Sequence, residues 1–369
     1  MIAESAMITP ILQFGTSRFL QAHADLFISQ SEDAIGGITV VQTTTSGERS
    51  RRLAALAAEE GFPVHVRGKR DGQVIDEVLT VTSVKRALSA NLHWAETRAI
   101  FCDEARVVIC NTADKGYDIS AESDTYPDSV PISFPGKLTK LLFERHQANG
   151  RPLTILPAEL VPRNGDVLRD IVRELAERWG LENRFLDWLD AEVVFSNTLV
   201  DRIVSESLEP AGAVAEPYAL WAIERRPGQV LPCTHPSIVV ADDISSYAHL
   251  KLFILNLGHT YLADGWLKAG LSRDLTVREL LSMPEQRARL SELYEQEVIP
   301  GFAGMGMEAE ARAYVDETIE SFENPFLNHR LADIADNHVE KIRRRAGGFL
   351  DWAKITNAPR LNELLASAR

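Results

Sequence analysis

Between Ile8 and Val240 short β-branched runs alternate with stretches whose apolar positions recur every three or four residues. Ile8–Phe14 predicts a strand, Thr16–Gln30 a helix and Ile38–Thr43 a second strand. A helix over Glu48–Glu60 follows, then a hairpin pairing Pro63–Arg67 with Gln73–Val81 around Asp71-Gly72, a dipeptide suited to a tight turn. Further strands are predicted at Arg106–Cys110, Leu153–Leu156 and Glu192–Ser196, with helices over Lys137–Ala148 and Gly165–Trp179. Such alternation pairs strands in parallel through right-handed crossovers, which predicts an α/β, Rossmann-like doubly wound sheet. Beyond Ile238–Val240 the pattern turns helical, over Ser246–Ala269, Thr276–Glu297, Ala309–Glu323 and Phe326–Arg345. The expected organisation is a Rossmann-like dinucleotide-binding domain over residues 1–243, then an all-helical substrate-binding C-terminal domain over residues 244–369.

Composition narrows the partners. A net charge of −14 argues against nucleic acid, because phosphate binding needs a basic face. No apolar stretch reaches the length of a membrane span, and no basic-then-apolar leader opens the sequence. The three cysteines, Cys102, Cys110 and Cys233, lack zinc spacing and cannot pair completely, so a reducing cytoplasm is the expected location. A monomer or a small homo-oligomer fits equally well.

The segment Lys251-Leu-Phe-Ile-Leu-Asn256-Leu-Gly-His259 carries the sharpest chemical signal. It lies in a helix apolar on nearly every side, and such a helix is normally buried. At about 100° per residue, Asn256 falls about 140° and His259 about 80° around the axis from Lys251, so the three polar groups share one arc. A buried lysine without a counter-charge has a lowered pKa and becomes a usable base near neutrality. Paired structural groups would leave the same pattern. Lys251 and His259 are also about 12 Å apart along the axis.

At the other end, Gly15-Thr16-Ser17-Arg-Phe19 falls between the first strand and first helix, where a dinucleotide fold places its pyrophosphate turn. The glycine pattern is imperfect, with Ser17 and Leu20 at the second and third glycine positions. After the second strand, Thr43-Thr44-Thr-Ser-Gly-Glu48-Arg49 offers no acidic residue at the strand tip, which leaves NAD versus NADP open.

With these pieces in order, the chain resembles the polyol-specific long-chain dehydrogenase (mannitol dehydrogenase) family, and within it the tagaturonate and fructuronate reductase branch. The matching blocks are Ile11-Leu-Gln-Phe-Gly15-x-x-x-Phe19-Leu, Val108-Ile-Cys-Asn111-Thr112, Ser133-Phe-Pro-Gly-Lys137-Leu-Thr, Glu159-Leu-Val-Pro-Arg163-Asn164-Gly165, Asn197-Thr-Leu-Val-Asp201-Arg202, Lys251-x4-Asn256-x2-His259 and Asn324-Pro325-Phe-x-x-His329. Gln21 and Ser321 stand where the family usually carries arginine, and Glu159-Leu160 looks more like the uronate reductases than the mannitol branch.

The resemblance implies a zinc-independent oxidoreductase moving a hydride between NAD(P) and a secondary alcohol or ketone. Lys251 would be the general acid/base, Asn256 would polarise the reacting oxygen, His259 would orient substrate and Asp201 would tune the lysine. Gly15, Thr16, Ser17, Phe19, Thr44, Asn111 and Thr112 are the expected cofactor residues; Asn324 and His329 are expected on the substrate side. A sugar-acid carboxylate needs a cation; Arg163, Lys137 and Lys115 are the candidates. Three rival readings stand beside this one: a neutral polyol dehydrogenase, a non-catalytic nucleotide sensor of the same fold, and a helical scaffold.

Overall fold

A computed structural model describes residues 8–44, 50–112 and 116–368 of the chain. Glu48, Arg49 and Lys115 therefore lie outside the described residues, as does the start of the predicted Glu48–Glu60 helix, whose described part is Ser50–Leu56.

Six strands form the main sheet: β1 (Ile11–Phe14), β2 (Ile38–Gln42), β5 (Val84–Ser89), β6 (Val107–Cys110), β7 (Leu153–Pro157) and β8 (Val193–Phe195). Their order is β5-β2-β1-β6-β7-β8, every pair parallel, with Ile11 opposite both Ile38 and Val107. β1, β2, β6 and β7 are buried at every position, as expected of strands covered on both faces. The chain leaves β1 toward β2 on one side and later returns beside β1 as β6, which makes the β1/β6 boundary a topological switch point. This is the doubly wound sheet predicted from the sequence.

Two smaller sheets complete the β structure. One takes β3 (Phe62–Arg70), β4 (Gln73–Val81), β10 (Val204–Ser207) and β11 (Ala213–Ala215) in the order β10-β11-β3-β4. The other runs β13-β12-β9 through β9 (Thr198–Asp201), β12 (Leu220–Glu224) and β13 (Ile238–Ala241). The β3–β4 hairpin turns at Asp71 and Gly72, with φ of 52° and 72°.

The chain divides into two compact units. A sheet unit takes the chain up to His65, Val78–Ala215 and Ala219–Ile244, and a helical unit takes Val66–Glu77, Glu216–Tyr218 and the chain from Ser245 on. The hairpin tip thus belongs with the helices. Within the helical unit the predicted helices exist but are punctuated. Thr276–Glu297 resolves into Val277–Leu281, Pro284–Leu293 and a wide π turn over Tyr294–Val298, and a capping box of Thr276 with Glu279 starts the first piece. Phe326–Arg345 was expected as one helix; Asn337, at φ 53°, separates Leu331–Ile334 from His338–Ile342. Phe253, Ile254, Tyr294, Phe302 and Phe349 form the centre of this unit's core.

Candidate active site

The expected site residues fall into two groups, one in each unit. In the sheet unit Gly15 follows β1 with φ 118°, and a Cβ there would come within 2.5 Å of the Asn111 carbonyl oxygen at the end of β6. Only glycine brings these two backbones so close. Gly15 N–H donates to Val41 O at 3.0 Å, and Asn111 N–H to Phe14 O at 3.1 Å, so the tips of β1, β2 and β6 are tied together. Ser17 caps the next turn by accepting from Leu20 N at 3.2 Å, and its hydroxyl donates to Asn111 Oδ1, also at 3.2 Å. Gly15, Ser17, Asn111 and Thr112 are thus brought together at the switch point, with Thr16 and Phe19 flanking and Thr44 just past β2. The expected single helix over Thr16–Gln30 is two, Arg18–Gln21 and Ala24–Gln30, because His23 leaves helical geometry at φ −129° and ψ −98°. Gln21, in the family's arginine position, joins Thr16 O (3.3 Å) to Gly212 N (2.7 Å).

Buried acids back this turn. Glu159, whose role the sequence did not disclose, accepts from Thr112 N and Oγ1 at 3.1 Å each, and from Cys110 Sγ and Tyr117 OH at 3.2 Å each. Burial pushes its carboxyl upward against those donors. Asp25 is completely buried, which raises its carboxyl to about 8.

The blocks after β7 and around β9 interlock. Asn164 donates to Pro157 O (3.0 Å) and accepts from Thr198 N (2.8 Å), while Asn197 accepts from Asp166 N (3.0 Å). Arg202 donates to Ala22 O at 2.5 Å, and Asp201 is buried at the end of β9. Arg163 stands exposed at φ 53° with its guanidinium on Asp166. Lys137 is 2% exposed, burial lowers its ammonium to about 8, and Nζ donates to Ile132 O at 2.7 Å.

In the helical unit the helix Ser245–Leu250 runs into a π-helical turn over Lys251–Asn256 and then into Leu257–Ala269. The Leu257 N–H reaches Leu252 O, five residues back. Bonding at i→i+5 sets residues five apart about one turn from each other. Asn256 therefore stands about one turn above Lys251 on the same side, where a regular α-helix would hold it about 140° away. A second correction concerns burial. Phe253, Ile254, Leu255, Leu257 and His259 are buried, whereas Lys251, Leu252 and Asn256 are only partly so.

His259 and His329 meet with ring centroids 4.8 Å apart, and Phe322 covers His259 at 4.4 Å. Burial first, then His329 and Arg345, push His259 well below the usual imidazole range; burial also lowers His329. Both rings are neutral near pH 7. Asn324 is consumed locally, donating to Arg67 O (3.0 Å) and accepting from Phe326 N (2.9 Å), so it pins the hairpin strand. A cavity of about 460 Å³ also lies in this unit, lined by Lys69, Arg287, Tyr294, Asp316 and Glu323 among others. It holds none of the expected site residues, and its cations Lys69 and Arg287 both pair with Glu323. Among the described residues no cluster of His, Cys, Asp or Glu has the makings of a metal site, and no helix is long and apolar enough to cross a membrane.

A glycine-tight turn at the switch point of a parallel sheet, joined in one chain to a lysine-bearing helical unit, defines a dinucleotide-linked oxidoreductase. The chain belongs to the mannitol dehydrogenase family: its Rossmann-domain model matches residues 9–230 and its C-terminal-domain model residues 243–354. Altronate oxidoreductase of Halalkalibacterium halodurans is 32% identical over 360 aligned positions, covering 91% of this chain and 69% of that protein. The Bacillus subtilis altronate oxidoreductase is 31% identical, covering 91% and 73%. Two solved structures share the fold at 19% identity. D-sorbitol dehydrogenase in substrate-free form has a TM-score of 0.80, covering 98% of this chain and 80% of its own. Pseudomonas fluorescens mannitol 2-dehydrogenase, in a ternary complex with NAD and D-mannitol, has a TM-score of 0.73, covering 99% and 80%.

Proposed function

We propose that this chain is an NAD-dependent oxidoreductase that transfers a hydride between the cofactor and the secondary alcohol or ketone of a sugar acid, of the altronate–tagaturonate type. The observation that carries the reading is the wide turn, which sets Lys251 and Asn256 on one side of the same helix. Lys251 gives a proton to the carbonyl oxygen on reduction and takes it from the hydroxyl on oxidation. Asn256 donates a hydrogen bond to that oxygen and stabilises the charge that develops there. Neutral His259, with His329 beside it, orients the substrate, and Asp201 keeps the role of tuning the lysine that the resemblance assigns it. NAD fits the switch-point turn: the missing Cβ of Gly15 lets its backbone pass against the Asn111 carbonyl, which gathers Gly15, Ser17, Asn111 and Thr112 at the strand tips where a dinucleotide fold seats its pyrophosphate. When bound it supplies the hydride position. The protein works in the cytoplasm, as a monomer or a small homo-oligomer.

The altronate oxidoreductase relatives favour an acid substrate over a neutral polyol. With Lys137 engaged internally, Arg163 is the first choice for its carboxylate. A charged hydrogen bond contributes about 1.5–3 kcal/mol, or roughly ten- to a hundredfold. An assay at 340 nm with NADH should give a kcat/KM for the best keto-uronate at least about tenfold above that for fructose or any neutral ketose. Arg163→Ala should raise KM for the acid far more than for a neutral analogue. A neutral ketose as best substrate would reassign the enzyme to polyol oxidation, and an unchanged acid preference in Arg163→Ala would clear that residue.

A further inference from the structure

The wide turn at Lys251–Asn256 is one of three in the helical unit, with Tyr294–Val298 and Arg343–Gly347, and the other two each send a side chain into it. A π turn moves a backbone carbonyl out of its regular four-residue bond, and that carbonyl needs another donor. Here Leu257 N–H is directed at Leu252 O and Ile254 O, five and three residues back. Ile254 O also accepts the hydroxyl of Tyr294 at 3.0 Å. Tyr294 is 1% exposed, and burial raises its phenol far above neutrality, so it is a permanent donor. Gly258 makes this contact possible, because a Cβ at that position would overlap the Tyr294 hydroxyl. The next carbonyl at issue, Asn256 O, accepts from Arg345 Nη1 at 2.9 Å and from Thr260 Oγ1 at 3.1 Å. Arg345 also donates to Thr260 Oγ1 at 2.7 Å, and burial lowers its guanidinium only to about 10, so it stays charged.

We propose that Tyr294 and Arg345 are positioning residues for the reaction, holding the carbonyls of Ile254 and Asn256 so that the turn stays wide and keeps Lys251 and Asn256 in phase. The inference rests on the acid/base reading of Lys251. Without the tyrosine hydroxyl, Ile254 O loses a buried donor, and the turn is free to tighten to α. Tightening swings Asn256 to about 140° from Lys251. The helix survives and the site comes apart, so chemistry should suffer more than folding.

The test uses the full-length enzyme with its best keto-acid or ketose and NADH. Tyr294→Phe should lower kcat by about tenfold or more, with KM for NADH within about twofold, and should move the ionisation seen in the kcat–pH profile. Arg345→Met should act in the same direction, and Arg345→Lys should recover most of the loss. Leu364→Ala, which opens the same core without removing a donor to the turn, should lower Tm while leaving kcat within about twofold. A Tyr294→Phe enzyme with wild-type kcat and pH profile would overturn the proposal. So would one whose only change is the lowered Tm of Leu364→Ala. Wild-type kcat in Arg345→Met would remove that residue from it. Lys251→Ala separates the two levels: if that variant retains turnover the parent reading fails, whereas a dead Lys251→Ala beside a normal Tyr294→Phe defeats this inference alone.

Discussion

The first βα turn of the sheet unit and the wide turn of the helical unit make polar groups available to a ligand by opposite means. At Gly15 the chain has left its strand, and its backbone reaches within contact of Asn111 because a side chain is missing at that position. At Lys251–Asn256 the helix never ends. Its phase is changed by Tyr294, 40 residues away, and Arg345, 89 residues from Asn256. The first device is written locally, and the second is written by the core. Their buried titratable groups differ in the same spirit: burial raises the carboxyls of Asp25 and Glu159 in the sheet unit and lowers the imidazoles of His259 and His329 in the helical unit.

That contrast predicts opposite pH signatures. Asp25 is protonated in the folded chain up to about 8 but ionised in the unfolded chain above the ordinary carboxyl value of 3.8. The folded state therefore holds the extra proton between those values, and stability falls as pH rises through that window. The slope is about 1.4 kcal/mol per pH unit, so between pH 5 and 8 Asp25→Asn should gain roughly 4 kcal/mol relative to wild type. His259 runs the other way. Its folded pKa lies below the unfolded value of 6.5, so stability is lost as pH falls below that value, and His259→Asn should flatten the acid side. Urea melts at pH 5, 6.5 and 8 read both effects. Parallel wild-type and Asp25→Asn curves would break the contrast.

A smaller effect sharpens the local half of the comparison. Gly15→Ala puts a Cβ where φ is 118° and the Asn111 oxygen lies 2.5 Å away. Holding a non-glycine residue in such a conformation costs about 1–3 kcal/mol. Kd for NADH, titrated by fluorescence, should rise about tenfold or more as the turn relaxes, with Tm lowered by several degrees. Unchanged affinity would mean that the cofactor does not use this turn.

Much of this architecture was legible in the sequence, and the failures have physical reasons. β1, β2, β6 and β7 read clearly because strands buried on both faces are continuous apolar runs. β10, with the sequence Val-Ser-Glu-Ser, has no such run, and β5 and the helix Trp94–Asp103 were also missed. The polar arc of Lys251, Asn256 and His259 was drawn with α-helical geometry, which the π turn over Lys251–Asn256 replaces. A phase of 100° per residue holds for an α-helix, and nothing between Lys251 and His259 announces that Tyr294 will intervene. Gly258 was the one local trace of it. Expecting the lysine to be sealed failed because apolar neighbours along a helix do not say which side the core covers. Nor does a cation in a matching block reveal that the Lys137 ammonium turns back onto Ile132 O.

The account stands on Lys251 as the proton-transfer group, and single-turnover hydride transfer in Lys251→Ala tests it most directly. With enzyme and NADH in excess over the best keto-acid, the rate of the 340 nm decay should fall by at least about a hundredfold, while Kd for NADH and the folded state stay as in wild type. A primary amine added to the buffer should restore part of the rate. A Lys251→Ala enzyme that transfers hydride at close to the wild-type rate would contradict the account and return Lys251 to a structural role.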